Sequence, residues 1–168
     1  IQAVRRAAAE ALGRIGDAKA VPTILEVLAY EKNDRVLDHS LTYALIEIGD
    51  VMAAREGLKS QSPLVRRATI AALDAMPGKN LSAEDVLKDL DSSDPVLKDT
   101  AWWVAGRHAE WGDIIAKDLR LKLNRPEEKY DYMSLFLAMH KNEAIQKVMA
   151  DAVMDCKKNP EAARPALM

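Results

Sequence analysis

Three tryptophans fall within ten residues, Trp102, Trp103 and Trp111, beside Arg107 and His108. Indole rings pack as large apolar plates. Such a cluster can anchor a protein partner, because Trp and Arg dominate binding energy at interfaces. It can also stack a nucleobase. Adjacent Trp102 and Trp103 project about 100° apart on a helix. One is therefore expected in the core, and the other over a neighbouring element or at the surface. Trp102, Trp103, Arg107, His108 and Trp111 are the candidate partner-contact residues, against the plainer reading that they only pack.

A second set is spaced across the chain. Arg6, His39, Arg67 and Asp99 occupy equivalent places in four successive segments. If those segments are neighbouring helices about 8–10 Å apart, Arg67 can pair with Asp99, and Arg5 with Asp38. Exposed pairs of this kind contribute about 0–1 kcal/mol each. A phosphate- or carboxylate-binding row is the functional alternative, and Asp38 and Asp99 within the row argue against it. His39, His108 and His140 are scattered, and Cys156 is the single cysteine. No His-x-x-x-His or paired-Cys metal spacing results, no disulfide can form within the chain, and no Gly-rich phosphate loop or nucleophile–base order stands out. No catalytic residue, metal ligand or cofactor is expected.

The elements that must position these residues follow from periodicity. Val4, Ala7, Ala8, Ala11, Leu12 and Ile15 recur at helical spacing and predict a helix over 2–15 with that stripe inward. Gly16 stops it in a left-handed conformation. Val21, Ile24, Leu25 and Leu28 predict a second, antiparallel helix with Pro22 in its first turn. The same order returns as a helix over 34–48 ended by Gly49, then a short one over 50–58. It returns again from Ser62-Pro63, broken at residues 76–80, with a capped start at Ser82. It returns once more over 95–109 and 112–123, the last with Ile114, Ile115, Leu119 and Leu123 on one side. Helices over 127–140 and 142–157 fit the pattern poorly. No segment alternates long enough for a strand.

The repeat is visible in the letters. Val4-Arg5-Arg6-Ala7, Leu37-Asp38-His39-Ser40, Val65-Arg66-Arg67-Ala68 and Leu97-Lys98-Asp99-Thr100 are each followed by a small-residue helix, and the anchors Val4, Leu37, Val65 and Leu97 lie 33, 28 and 32 residues apart. That period marks a solenoid. Pro-x-Val-Arg-Arg-Ala, then Ala-Leu, then Gly-Asp resembles the HEAT repeat in the short variety of bilin-lyase-like proteins, over about residues 2–123. The runs Asp-His-Ser-Leu-x-Tyr-Ala-Leu-Ile-Glu-Ile-Gly (38–49) and Ala-Trp-Trp-Val-Ala-Gly-Arg-His-Ala-Glu-Trp-Gly (101–112) are similar to the HEAT segment of large bacterial multidomain proteins. Those proteins join a sugar-dehydrogenase-like propeller to a c-type haem domain. This resemblance implies that catalysis and haem lie outside this segment, in an exported parent.

Composition bounds the rest. Of 168 residues, 49% are apolar and 30% charged, and the net charge is −2. Residues 1–60 carry 8 Lys/Arg against 9 Asp/Glu, residues 61–124 carry 9 against 10, and residues 125–168 carry 7 against 7. An even distribution gives no compositional support to a broad grip on nucleic acid, and no run approaches a membrane span. The expected fold is an all-α, right-handed solenoid of about five antiparallel helix pairs. Its units are about 2–30, 34–59, 62–90, 94–123 and a degenerate 126–157, in one domain cut from a longer protein. The expected function is a non-catalytic protein-interaction or scaffold module, its partner another protein or other domains of its parent. Glu26, Tyr30, Glu56, Asp85, Lys88, Asp113 and Lys117, on the second helices, would line its concave face. A nucleic-acid binder of the DNA-glycosylase kind and a bilin or chromophore lyase are the alternatives. Helix 2–15 lacks a polar cap, so self-association or fraying at that end is expected.

Overall fold

Local sequence signals place each helix end. In the structure, a computed structural model describing residues 2–30, 34–123 and 139–158, α1 spans Gln2–Ile15 and α2 spans Val21–Leu28. Next come α3 (Arg35–Ile48), α4 (Val51–Arg55), α5 (Pro63–Ala75) and α6 (Ala83–Leu87). Then follow α7 (Pro95–Arg107), α8 (Gly112–Leu123) and α9 (Glu143–Lys158). The described residues contain no strand, so the fold is all-α. The expected helix over 127–140 lies outside the described residues except for its last two positions, and the side chain of Cys156 lies outside them too.

The stops and starts have clear causes. Gly16 and Gly49 adopt φ of 72° and 68°, where an L side chain is strained, and Gly49 N–H closes on Leu45 O. Each is followed by an aspartate that opens the next element. Asp17 Oδ1 accepts from Lys19 N–H, and Asp50 Oδ1 from Ala53 N–H. Asp34 and Asp94 cap α3 and α7 the same way, each accepting at 2.7 Å from the N–H of Leu37 and Leu97. Ser82 and Asp85 form a reciprocal capping box on α6. Ser62 precedes Pro63 at the N-cap position as expected, but its side chain makes no cap bond. Instead, Ser60 Oγ accepts from Ser62 N–H.

Packing forms two layers. α1 packs on α3, α3 on α5 and α5 on α7, while α2 packs on α3 and α5, α4 on α5, α6 on α7 and α8, and α8 on α9. From α3 onward, each first helix is thus covered by the shorter helix that precedes it. The core is one continuous apolar cluster from Ala9 to Val148 through Ile24, Leu45, Ile70 and Leu90. Gly57 shows how closely the layers approach: a Cβ there would lie 2.0 Å from Thr69 Oγ1.

Two sequence expectations need correction. The α1 stripe does not face inward. Val4, Ala7, Ala8, Ala11 and Ile15 are exposed, Leu12 is half-buried, and it is Ala9 and Gly13 that pack against α3. The periodicity is real, but no described helix lies over that face. Ile114 is likewise exposed, while Ile115 and Leu119 carry the inner side of α8.

Candidate interaction site

Five residues flagged in the sequence separate into two buried rings and an outward-facing group. Trp102 is 8% exposed and its Nε1–H donates to Leu90 O at 3.0 Å. It is the core partner of the Trp pair. Trp111, 6% exposed, sits in the 3-10 turn Ala109–Trp111 between α7 and α8. Trp103 is 55% exposed. The Arg107 guanidinium lies one helical turn on, 4.7 Å from the centre of its ring.

Asp74 organises the group, and the sequence reading missed it. This residue, near the end of α5, has a side chain only 3% exposed. Its Oδ2 lies 3.3 Å from Arg107 Nε, and its Oδ1 2.7 Å from His108 Nε2. The His108 ring stacks on Trp111 with centroids 3.9 Å apart and planes within 7°, and Nδ1 faces Glu110 Oε1 at 3.2 Å. An imidazolium donates to both carboxylates at once, whereas a neutral ring donates to one. The Glu110 backbone N–H and, after it, His108 hold the Glu110 carboxyl below its ordinary range. One buried carboxylate therefore fixes two side chains, and the Arg107 guanidinium among them clasps an exposed indole. An Asp at the last turn of one first helix, matched by Arg-His one repeat later, is the only sequence signal for this arrangement.

The corner is braced from beyond. Asn142 Nδ2–H donates to Ala109 O at 2.9 Å, and Asn142 Oδ1 accepts from the N–H groups of Ala144 and Ile145 to open α9. Gly112 leaves room for that amide, since a Cβ there would fall 1.9 Å from Asn142 Nδ2. An open hollow of about 580 Å³ lies alongside, with Glu110, Asp113, His140 and Glu143 among its lining residues. Among the described residues, no group of three His, Cys, Asp or Glu is arranged to hold a metal ion, and no helix is long and apolar enough to cross a membrane.

The charged ladder pairs differently from the expectation. Arg67 Nη2 reaches back to Asp38 at 3.0 Å, Asp99 is exposed, and Arg6 Nη2 reaches Asp34 at 3.1 Å. Arg67 and Arg107 follow one stagger: each cation meets the residue one position earlier on the preceding first helix, counted from the anchor. Sequence spacing cannot give the sense of that stagger. A buried pair also went unread. Arg66 and Asp89 are 5% and 4% exposed. Arg66 Nε donates to Asp89 Oδ1 at 2.9 Å, with Nη2 on Oδ2 and Nη1 on Leu58 O.

Of the seven second-helix residues flagged in the sequence, Asp85, Glu56 and Lys88 meet partners in the stack, and Glu26, Asp113 and Lys117 are exposed. Asp85 meets Arg55 at 2.8 Å, Glu56 meets Lys59 at 2.7 Å, and Lys88 Nζ donates to Leu58 O at 3.4 Å. Tyr30 is exposed.

A sequence profile of the PBS lyase HEAT-like repeat matches residues 4–30, which hold α1 and α2. No curated protein and no solved structure matches the chain.

Proposed function

With the HEAT-like repeat as premise, we propose that this chain is a non-catalytic interaction module that holds a protein partner on the ridge formed by Trp103 and Arg107. The observation that carries this reading is the exposed Trp103 ring with Arg107 fixed over it by the buried Asp74. A large apolar plate held at a surface is costly to leave wet and loses little entropy on binding. Its cation is already oriented, so a partner meets a rigid plate-and-charge pair rather than two free side chains. Trp102 and Trp111 support the reading from behind, one bonded to the backbone and the other stacked under His108.

The test is affinity capture from the source organism's extract, with the chain and its Trp103→Ala variant as parallel baits. It is run at low and high salt, with and without nuclease. A discrete protein retained at high salt, indifferent to nuclease and lost with Trp103→Ala is the expected result. Retention that collapses with salt or nuclease replaces this reading with nucleic-acid binding. Retention unchanged by the variant moves the contact elsewhere on the stack.

A further inference from the structure

The exposed side of the first helices repeats one pattern twice. On α3, His39, Tyr43 and Glu47 stand one per turn. On α7, Asp99, Trp103 and Arg107 hold the same three places counted from the anchors Leu37 and Leu97. Both central rings are bare, Tyr43 at 50% and Trp103 at 55% exposure, and Val36 and Val96 on the same faces are at 51% and 50%. Exposed apolar groups rimmed by charge mark a contact surface. The charges run in opposite order on the two helices. α3 reads imidazole, ring, carboxylate, and α7 reads carboxylate, ring, guanidinium. His39, Glu47 and Asp99 are exposed and make no ion pair among the described residues.

Between the two ridges lies α5, which packs on both α3 and α7. At the same three places it carries Arg67, Ala71 and Ala75, and Leu64 stands in line with the two valines. Arg67 is already held by Asp38 at 3.0 Å. This face complements itself. A twofold axis lying in the contact plane along α5 turns α3 of one copy onto α7 of the other and keeps each residue at its own level. His39 then meets Asp99, Tyr43 meets Trp103 and Glu47 meets Arg107, each contact made twice. On the axis, Ala71 and Ala75 meet their own copies and let the two α5 helices approach closely. A seat for the incoming indole is already present. Glu10 and Arg14 on α1 join His39, Ser40, Tyr43 and Glu47 on α3 around an open hollow of about 350 Å³.

Resting on the reading of the Trp103 ridge as a protein contact, we propose that its occupant is a second copy of this chain, docked face to face through α3, α5 and α7. Trp103 of one copy enters the hollow beside Tyr43 of the other, and Asp99 and Arg107 reach His39 and Glu47 on its wall. The reversed charge order on α3 is what selects a copy, because only a twofold mate uses both ridges at once. The face measures about 17 Å along the helices and about 20 Å across them, at the small end of protein interfaces. Pairing is therefore weak, and a dilute chain is monomeric with Trp103 open to solvent.

Sedimentation velocity of the full chain from about 1 μM to about 1 mM tests this. The sedimentation coefficient should rise toward that of a dimer as concentration increases. His39→Glu sets two carboxylates against each other at both contacts, and Asp99→Lys removes the acceptor from both. Each alone should weaken pairing by at least about fivefold. Both residues are exposed, so each variant should keep the parent's circular dichroism. An equimolar mixture of the two variants should regain dimers, since one α3–α7 contact then joins the two new charges and the other is native. A chain that stays monomeric to about 1 mM overturns the proposal. So does a dimer indifferent to both variants, or a mixture that fails to recover. The capture experiment separates that failure from failure of the ridge itself. A different protein lost with Trp103→Ala leaves the ridge standing with that occupant, whereas capture unchanged by Trp103→Ala removes the ridge as well.

Discussion

Replacing Asp89 by Asn should destabilise this protein more than most single substitutions can. The change keeps the side-chain volume, so no cavity confuses the result. It removes the charge opposite Arg66, whose guanidinium is 5% exposed, and turns an amide N–H₂ toward donors that had met Asp89 Oδ1 and Oδ2. The Leu58 carbonyl remains as a neutral acceptor. Breaking a buried pair from one side costs about 3–5 kcal/mol, against a typical domain stability of about 5–15 kcal/mol. At a urea dependence of about 2 kcal/mol per molar, the midpoint should fall by about 1.5–2.5 M. Urea unfolding followed by circular dichroism measures this directly. Arg66→Met with Asp89→Leu removes both charges and should return to within about 1 kcal/mol of the parent. A loss below about 1 kcal/mol for Asp89→Asn, or a double variant no better than the single one, would refute the claim that desolvation governs this site.

Four further outcomes are expected. Thr69 is fully buried and its Oγ1 lacks a hydrogen-bond partner among the described residues, so Thr69→Val should stabilise by about 1 kcal/mol in urea titration. Gly57→Ala drives a Cβ onto Thr69 Oγ1 and to 3.0 Å from Leu25 Cδ2, and should cost about 1–3 kcal/mol in the same assay. Trp103 supplies the accessible indole, so acrylamide should quench one class of emission, and Trp103→Phe should leave only blue-shifted, poorly quenched fluorescence. The pH profile of stability should fall at both ends. The Leu37 N–H, ahead of Arg6, holds the Asp34 carboxyl below its ordinary value, and Glu110 is held low as well. A depressed folded value means stabilisation present above the unfolded pKa and lost as pH drops through about 4 and below. Burial pulls the Lys122 ammonium down, but Asp118 at 2.6 Å and Asp91 outweigh it and raise the group. That contribution is complete below the ordinary lysine range and disappears as pH rises beyond about 10. Asp34→Asn with Glu110→Gln should flatten the acid limb of urea midpoints against pH. An unaltered limb would show that other groups set it.

The helices were legible because their punctuation is local. Gly16, Gly49, Pro63, Ser82 and the Asp caps each act within a turn of where they stand. The Trp pair was legible in part, since helical geometry alone forbids burying Trp102 and Trp103 together. Which residue they lean on was not, because Asp74 acts across a gap of one repeat. Stagger between helices decides that gap, and spacing alone pointed Arg67 at Asp99 where the structure pairs it with Asp38. The α1 stripe failed for another reason. An amphipathic pattern reports the cover for which a helix is built, and among the described residues no helix lies over that face of α1.

The layered contacts have a mechanical consequence. Each first helix leans mainly on its immediate neighbours, so disturbance dies out within a repeat or two, as in a zipper rather than a globule. Arg66 ties the α4 segment, α5 and the turn after α6 at one point near the middle. Pulled or heated, the chain should therefore peel from its ends toward that clasp. The Trp103 ridge, one helix beyond it, would keep its shape while α1 is already undone.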